Sequence, residues 1–134
     1  MPIDINYRYQ SNWAPLHYAA MHSSIQIISR LINDPRIDVN ALTDFQETPL
    51  HIAAKANKLE NCLLLISAGV CIDKRDCDQS TALHYATELG YKDIAQSLLD
   101  HGASPLIKNC TGMTAVDLAS AHLADLFKKH KEEE

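Results

Sequence analysis

The chain has 134 residues, 46% hydrophobic and 22% charged, an ordinary globular composition. Its formal charge of −5 excludes a general phosphate-binding surface, which needs clustered Lys and Arg, so nucleic acid is not an expected partner. Met1 to Arg8 lacks the apolar core of a signal peptide and the longest apolar run, Cys62 to Ile72, is too short to span a bilayer; an intracellular, cytoplasmic protein without a membrane partner is expected, the nucleus not being excluded.

Taken in order, the chain opens on Asp4-Ile5-Asn6, which Asp38-Val39-Asn40 repeats at the same distance ahead of a helix start. The first such start is Ala14-Pro15-Leu16-His17-Tyr18-Ala19-Ala20, and the best formed is Thr48-Pro49-Leu50-His51-Ile52-Ala53-Ala54. In the latter, Thr48 is a good N-cap, Pro49 occupies the first helical position, where a missing N–H costs nothing, and His51 stands where a capping-box side chain reaches back. Further copies are Thr81-Ala82-Leu83-His84-Tyr85-Ala86-Thr87 and Thr114-Ala115-Val116-Asp117-Leu118-Ala119-Ser120, giving intervals of 34, 33 and 33 residues.

That period with a Thr-Pro-Leu-His-x-Ala core resembles the ankyrin repeat. The resemblance implies an all-α solenoid of paired antiparallel helices joined by β-hairpin-like loops, forming one domain over residues 1–134. Its parts are a hairpin opening at 1–8, repeats at 9–42, 43–75 and 76–108, and a truncated capping repeat with a charged tail at 109–134. The chain thus begins in mid-repeat, as either a fragment or a natural N-terminus would; the apolar Tyr7, Tyr9 and Trp13 favour the fragment.

Within the first repeat an inner helix is predicted from Pro15 to Met21 or His22, and an outer one with a stripe of Ile25, Ile28, Leu31 and Ile32 ending before Pro35. The next two outer helices carry Leu59, Cys62, Leu63, Leu65 and Ile66, then Ile94, Ala95, Leu98 and Leu99, with Gly69 and Gly102 as left-handed caps. Asn57 and Gly90 suit a positive φ between inner and outer helices, and Ser23 holds that place less well. In the fourth repeat Asp117 replaces the histidine and can still close a capping box with Thr114. The spacing of Val116, Ala119, Leu123, Leu126 and Phe127 admits two short helices or one continuous one, and 128–134 reads as a solvated, fraying end.

His17, His51 and His84 share one repeat position, so a structural role is expected with Thr48, Thr81, Thr114 and Asp117, since an active site has no reason to be copied three times. Cys62, Cys71, Cys77 and Cys110 lack zinc-site spacing and read as free thiols, Cys62 in the core and Cys77 and Cys110 at equivalent loop positions. Asp76-Cys77-Asp78-Gln79-Ser80 begins like a calcium loop but lacks its glycine and its final glutamate. No catalytic residue, cofactor or metal is therefore expected, and a thiol- or metal-dependent enzyme is the rival reading.

A noncovalent protein-recognition scaffold is expected instead, either acting alone or as the regulatory module of a larger protein, and monomeric. In the family resembled, partners lie in a concave groove of hairpin tips and inner helices. Those positions are Ser11, Trp13, Tyr18, Met21 and His22, then Asp44, Phe45, Glu47, Ile52, Lys55 and Ala56. The third repeat supplies Cys77, Asp78, Ser80, Tyr85, Glu88 and Leu89, and the fourth Thr111, Met113 and Leu118. Apolar members alternate with Asp44, Glu47, Asp78 and Glu88, so a partner protein or peptide with apolar anchors and some basic residues is expected. The alternative for Tyr18, Ile52, Tyr85 and Leu118 is packing against neighbouring inner helices.

Overall fold

A computed structural model describes residues 4–22 and 25–127. Its helices are α1 Pro15–Met21, α2 Ile25–Ile32, α3 Pro49–Lys55, α4 Leu59–Ser67, α5 Ala82–Glu88, α6 Lys92–Asp100 and α7 Ala115–Leu118, with 3-10 segments at Gln10–Asn12 and Ala121–Phe127. No strand occurs among the described residues. Inner helices α1, α3, α5 and α7 stack in sequence, and outer helices α2, α4 and α6 stack beside them, the 3-10 segment Ala121–Phe127 closing the outer row. Each helix is too short to persist alone in water, so its stability comes from the faces it shares with its neighbours.

The core follows the repeat. Leu16, Leu50 and Leu83 on the inner helices are buried, as are Ile28, Cys62, Leu65, Ile94 and Leu98 on the outer ones. Burial of each large apolar side chain is worth about 1.5–3 kcal/mol. Ile25 and Leu63, predicted on the buried stripes, are exposed. Leu63 stands a third of a turn from Cys62, past the edge of the contact face, and Ile25 lies in the first turn of an outer helix with no neighbour before it.

Helix starts and ends are closed by local chemistry. Thr48 and Thr81 accept from the N–H of His51 and His84, and their own N–H groups donate to Nδ1 of the same rings at 3.1 and 2.9 Å. Thr114 and Asp117 form the same box through a carboxylate at 2.9 Å. Ala14 has no side-chain acceptor, and only the return bond to His17 Nδ1 is made there. Asn57, Gly69, Gly90 and Gly102 have positive φ after helices α3 to α6. Behind Gly69, Val70 N–H reaches Leu65 O; behind Gly102, Ala103 N–H reaches Leu98 O, which satisfies the last carbonyls. Ser23 lies outside the described residues, as does 128–134.

In the fourth repeat, the two-element alternative is the one found. Ala119 is extended, with φ −69 and ψ 126, so the chain breaks after α7 and resumes as the 3-10 segment that buries Leu123 and Phe127.

The three histidines connect adjacent repeats. Because Nδ1 of each ring accepts a backbone N–H, the proton sits on Nε2, which donates to Glu47 O from His17 (3.0 Å), to Ser80 O from His51 (2.9 Å) and to Met113 O from His84 (3.1 Å). Burial holds His17 and His51 below the ordinary 6.5, because a buried cation is desolvated. The unfolded chain therefore binds protons that the folded one refuses. Stability from these rings is complete above pH 6.5 and declines as pH falls from 6.5 toward the lowered folded values. Thermal unfolding followed from about pH 7.5 down to about pH 5.5 is expected to show a steadily falling Tm, and a flat profile would contradict neutral, doubly bonded rings.

Candidate interaction groove

The loops between repeats present closed tips whose conformation is set by one oxygen-bearing side chain in each. Thr43 Oγ1 accepts from the N–H groups of Phe45 and Glu47, Asp76 Oδ1 from those of Asp78 and Ser80, and Asn109 Oδ1 from those of Thr111 and Met113. Main-chain bonds Thr43 N–H to Glu47 O, Asp76 N–H to Ser80 O and Asn109 N–H to Met113 O close the same turns. Gln46, Gln79 and Gly112 take the left-handed conformation that these turns require. Each tip is also bonded to the one before it, through Asp44 N–H to Ser11 O, Cys77 N–H to Phe45 O and Cys110 N–H to Asp78 O, all 2.9 Å.

Along these tips and the adjoining inner helices run three hollows that share residues. Gln10, Ser11, Trp13, Tyr18 and Met21 line one of about 340 Å³. Trp13 and Met21 continue into a second of about 310 Å³ with Glu47, Ile52, Lys55 and Ala56. Glu47 and Lys55 continue into a third of about 360 Å³ with Phe45, Asp76, Cys77, Asp78 and Tyr85. Twelve of the residues expected to recognise a partner therefore adjoin one another.

The remaining expected residues are placed differently. His22 lines a further hollow, which shares Tyr18 with the first of the three. Asp44, Glu88, Leu89 and Thr111 are exposed but line none of the three hollows, and Met113 and Leu118 are half-buried. Three of the expected residues have little exposed surface. Ile52 is 5% exposed and belongs to the core, on a helix that contacts both α1 and α5. Glu47 is buried as the ion-pair partner of Lys55 Nζ, and Ser80 is buried with its carbonyl taken by His51.

Lys55 Nζ also lies 4.4 Å from the centre of the Tyr85 ring, a cation–π contact, and the Tyr85 hydroxyl donates to Asp76 Oδ2. Burial first, then the Asp76 carboxylate, pushes the Tyr85 hydroxyl well above its ordinary value, so it remains a donor. Glu47, Lys55, Tyr85 and Asp76 thus form a rigid polar floor, beside which Phe45 is 58% exposed. Trp13 lies against the rings of His17 and Tyr18, at 5.7 and 5.0 Å between centres.

Burial pushes the Cys62 thiol up to about 12, and desolvation with the nearby Asp78 and Asp76 raises Cys77. Among the described residues no three His, Cys, Asp or Glu side chains gather as a metal ion would require, and no helix is long and apolar enough to cross a membrane.

The tip-setting role of these residues was not read from the sequence, although Thr43, Asp76 and Asn109 recur at intervals of 33 residues, one repeat. A second unrecognised series joins loop bases: Asp38 N–H to Asn6 Oδ1, Cys71 N–H to Asn40 Oδ1 and Ser104 N–H to Asp73 Oδ1. Asn61 is a third, donating from a buried position on α4 to Ala20 O and His22 O at the end of α1.

Compared with known proteins, the family model for ankyrin repeats in three copies matches residues 2–76 and 71–128. Similar curated proteins include human transient receptor potential cation channel subfamily A member 1, 29% identical over 106 residues, which are 78% of this chain and 10% of the channel. The tyrosine-protein kinase Shark of Drosophila melanogaster is 34% identical over 111 residues, covering 82% of this chain and 12% of the kinase. An ankyrin and IPT/TIG repeat-containing protein of Schizosaccharomyces pombe is 28% identical over 151 aligned positions, 93% of this chain and 13% of that protein. The chain spans about a tenth of the length of these relatives.

Asp76→Ala would strand two main-chain donors and the Tyr85 hydroxyl, and is expected to cost about 1–3 kcal/mol in chemical denaturation. Asp78→Ala, which removes only an exposed carboxylate, is expected to stay within about 0.5 kcal/mol of the parent. Equal losses would mean that Asp76 does not set the tip.

Proposed function

The chain belongs to the ankyrin-repeat family, and from that membership we propose that it recognises a partner protein or peptide in the groove of loop tips and inner helices. Ankyrin repeats are generally protein–protein interaction modules, and the family is typically non-catalytic. The observation that carries the proposal is the continuity of the three hollows along the tips, with apolar Trp13, Met21 and Phe45 exposed or half-exposed between carboxylates.

The chemistry selects the partner's character. Phe45 offers an aromatic anchor held by a tip that side-chain and main-chain bonds already fix, so little ordering entropy opposes binding. Asp44 and Asp78 beside it are exposed, while the cation Lys55 is engaged by Glu47 and Tyr85. The groove therefore favours a segment that pairs an apolar side chain with Lys or Arg. A module of this kind within a longer polypeptide is the second reading, favoured by the tenth or so of a channel, a kinase and a further repeat protein to which the chain is similar.

Panning a displayed random-peptide library on the chain tests this. Enriched peptides are expected to combine an aromatic or aliphatic residue with Lys or Arg, and Phe45→Ala to weaken them by at least about 2 kcal/mol, roughly thirtyfold. Trp13→Ala is expected to act in the same direction once its Tm has been matched to the parent. Enrichment of acidic peptides, or binding untouched by Phe45→Ala, would remove the groove as the recognition site.

A further inference from the structure

The oxygens that set two neighbouring tips are joined by a continuous series of side chains. Thr43 Oγ1, which accepts the N–H groups of Phe45 and Glu47, donates its own proton to Glu47 Oε1 at 3.3 Å. Glu47 Oε2 holds Lys55 Nζ, which lies 4.4 Å from the centre of the Tyr85 ring. The Tyr85 hydroxyl then donates to Asp76 Oδ2, on the carboxylate whose other oxygen sets the tip at 76–80. We propose that Lys55 is a positioning residue that couples the tips at 43–47 and 76–80 into one recognition unit, so that Phe45 on the first and Asp78 on the second are presented together. For a bound partner this rests on the groove being the recognition site, whereas the coupling itself belongs to the free chain.

Burial gives each step its strength. Glu47 is buried, so its carboxylate depends on Lys55, because a buried charge left unpaired is strongly destabilised. Lys55 is only partly buried, and two partners at once, the carboxylate and the ring, fix where its ammonium stands. Asp76 is buried with both oxygens engaged, so the aim of Oδ1 at the Asp78 and Ser80 N–H groups depends on Tyr85 holding Oδ2. Neighbouring junctions carry no such residues. One repeat earlier Trp13, Met21 and Ile52 stand in place of Glu47, Lys55 and Tyr85, and one repeat later Ser80, Glu88 and Leu118 do, so neither set can build an ion pair or offer a phenolic hydroxyl. Main-chain bonds run between all these tips alike, but this side-chain series ties 43–47 to 76–80 and leaves 109–113 to be set by Asn109. A segment that seats an apolar side chain on Phe45 and a cation on Asp78 therefore meets two groups whose separation is fixed before it arrives.

Native-state amide hydrogen exchange, read residue by residue by NMR on the full chain, tests the coupling without a partner. Lys55→Met is expected to speed exchange at Phe45, Glu47, Asp78 and Ser80 by at least about fivefold, while Thr111 and Met113 stay within about twofold of the parent. Lys55→Arg, which keeps the charge and the contact with the Tyr85 ring, is expected to exchange as the parent does. Tyr85→Phe leaves the buried ion pair in place and is expected to fold even if Lys55→Met does not. It should speed Asp78 and Ser80, and adding Lys55→Met to it should speed them little further. Acceleration confined to one tip or equal at all three, parent-like exchange at 76–80 in Tyr85→Phe, a Lys55→Arg chain as loose as Lys55→Met, or a full effect of Lys55→Met on top of Tyr85→Phe would overturn the proposal. Recognition in the groove fails by a different result, peptides indifferent to Phe45→Ala.

Discussion

The array depends on a neutral imidazole that is used at both nitrogens. One nitrogen accepts the N–H that opens its own helix, and the other donates to a carbonyl at the next loop tip, so a single ring fixes where a helix starts and how far away the following repeat stands. A lysine or glutamine cannot do both, since the first lacks an acceptor and the second lacks the rigid spacing between its polar atoms. His17, His51 and His84 repeat the arrangement, so the tips they hold form a continuous edge. Asp117 keeps the capping half of the function and gives up the donating half.

On that edge the polar floor and the apolar anchors arise from different parts of the repeat. Asp76 serves its own tip with one oxygen and Tyr85 with the other, while Glu47 holds Lys55 against the Tyr85 ring. These are buried or half-buried groups whose removal disturbs structure. Phe45 and Asp78 are held through their main chain, so their side chains stay available. The division between what shapes the groove and what faces outward therefore falls between adjacent residues of one turn.

Helix positions were legible because the period repeats four times, and a helix start is written in contiguous residues: Thr48-Pro49-Leu50-His51 carries its cap, its first turn and its apolar face together. Exposure along the groove was less legible. Tyr18, Ile52 and Tyr85 occupy one repeat position, yet one is exposed, one buried and one half-buried, because each depends on what stands beside it in the stack. Glu47 reads as a solvated charge until Lys55, eight residues away, is placed over it. Asn61 was hidden for the opposite reason: its counterparts are isoleucines, and only the carbonyls at the end of α1 explain an amide there.

The left-handed residues Gln46, Gln79 and Gly112, with the oxygen-bearing residues three before them, hold these three tips in one shape. Mutations at the displayed positions, such as Phe45 and Asp78 or Cys110 and Thr111, consequently meet little purifying pressure from folding.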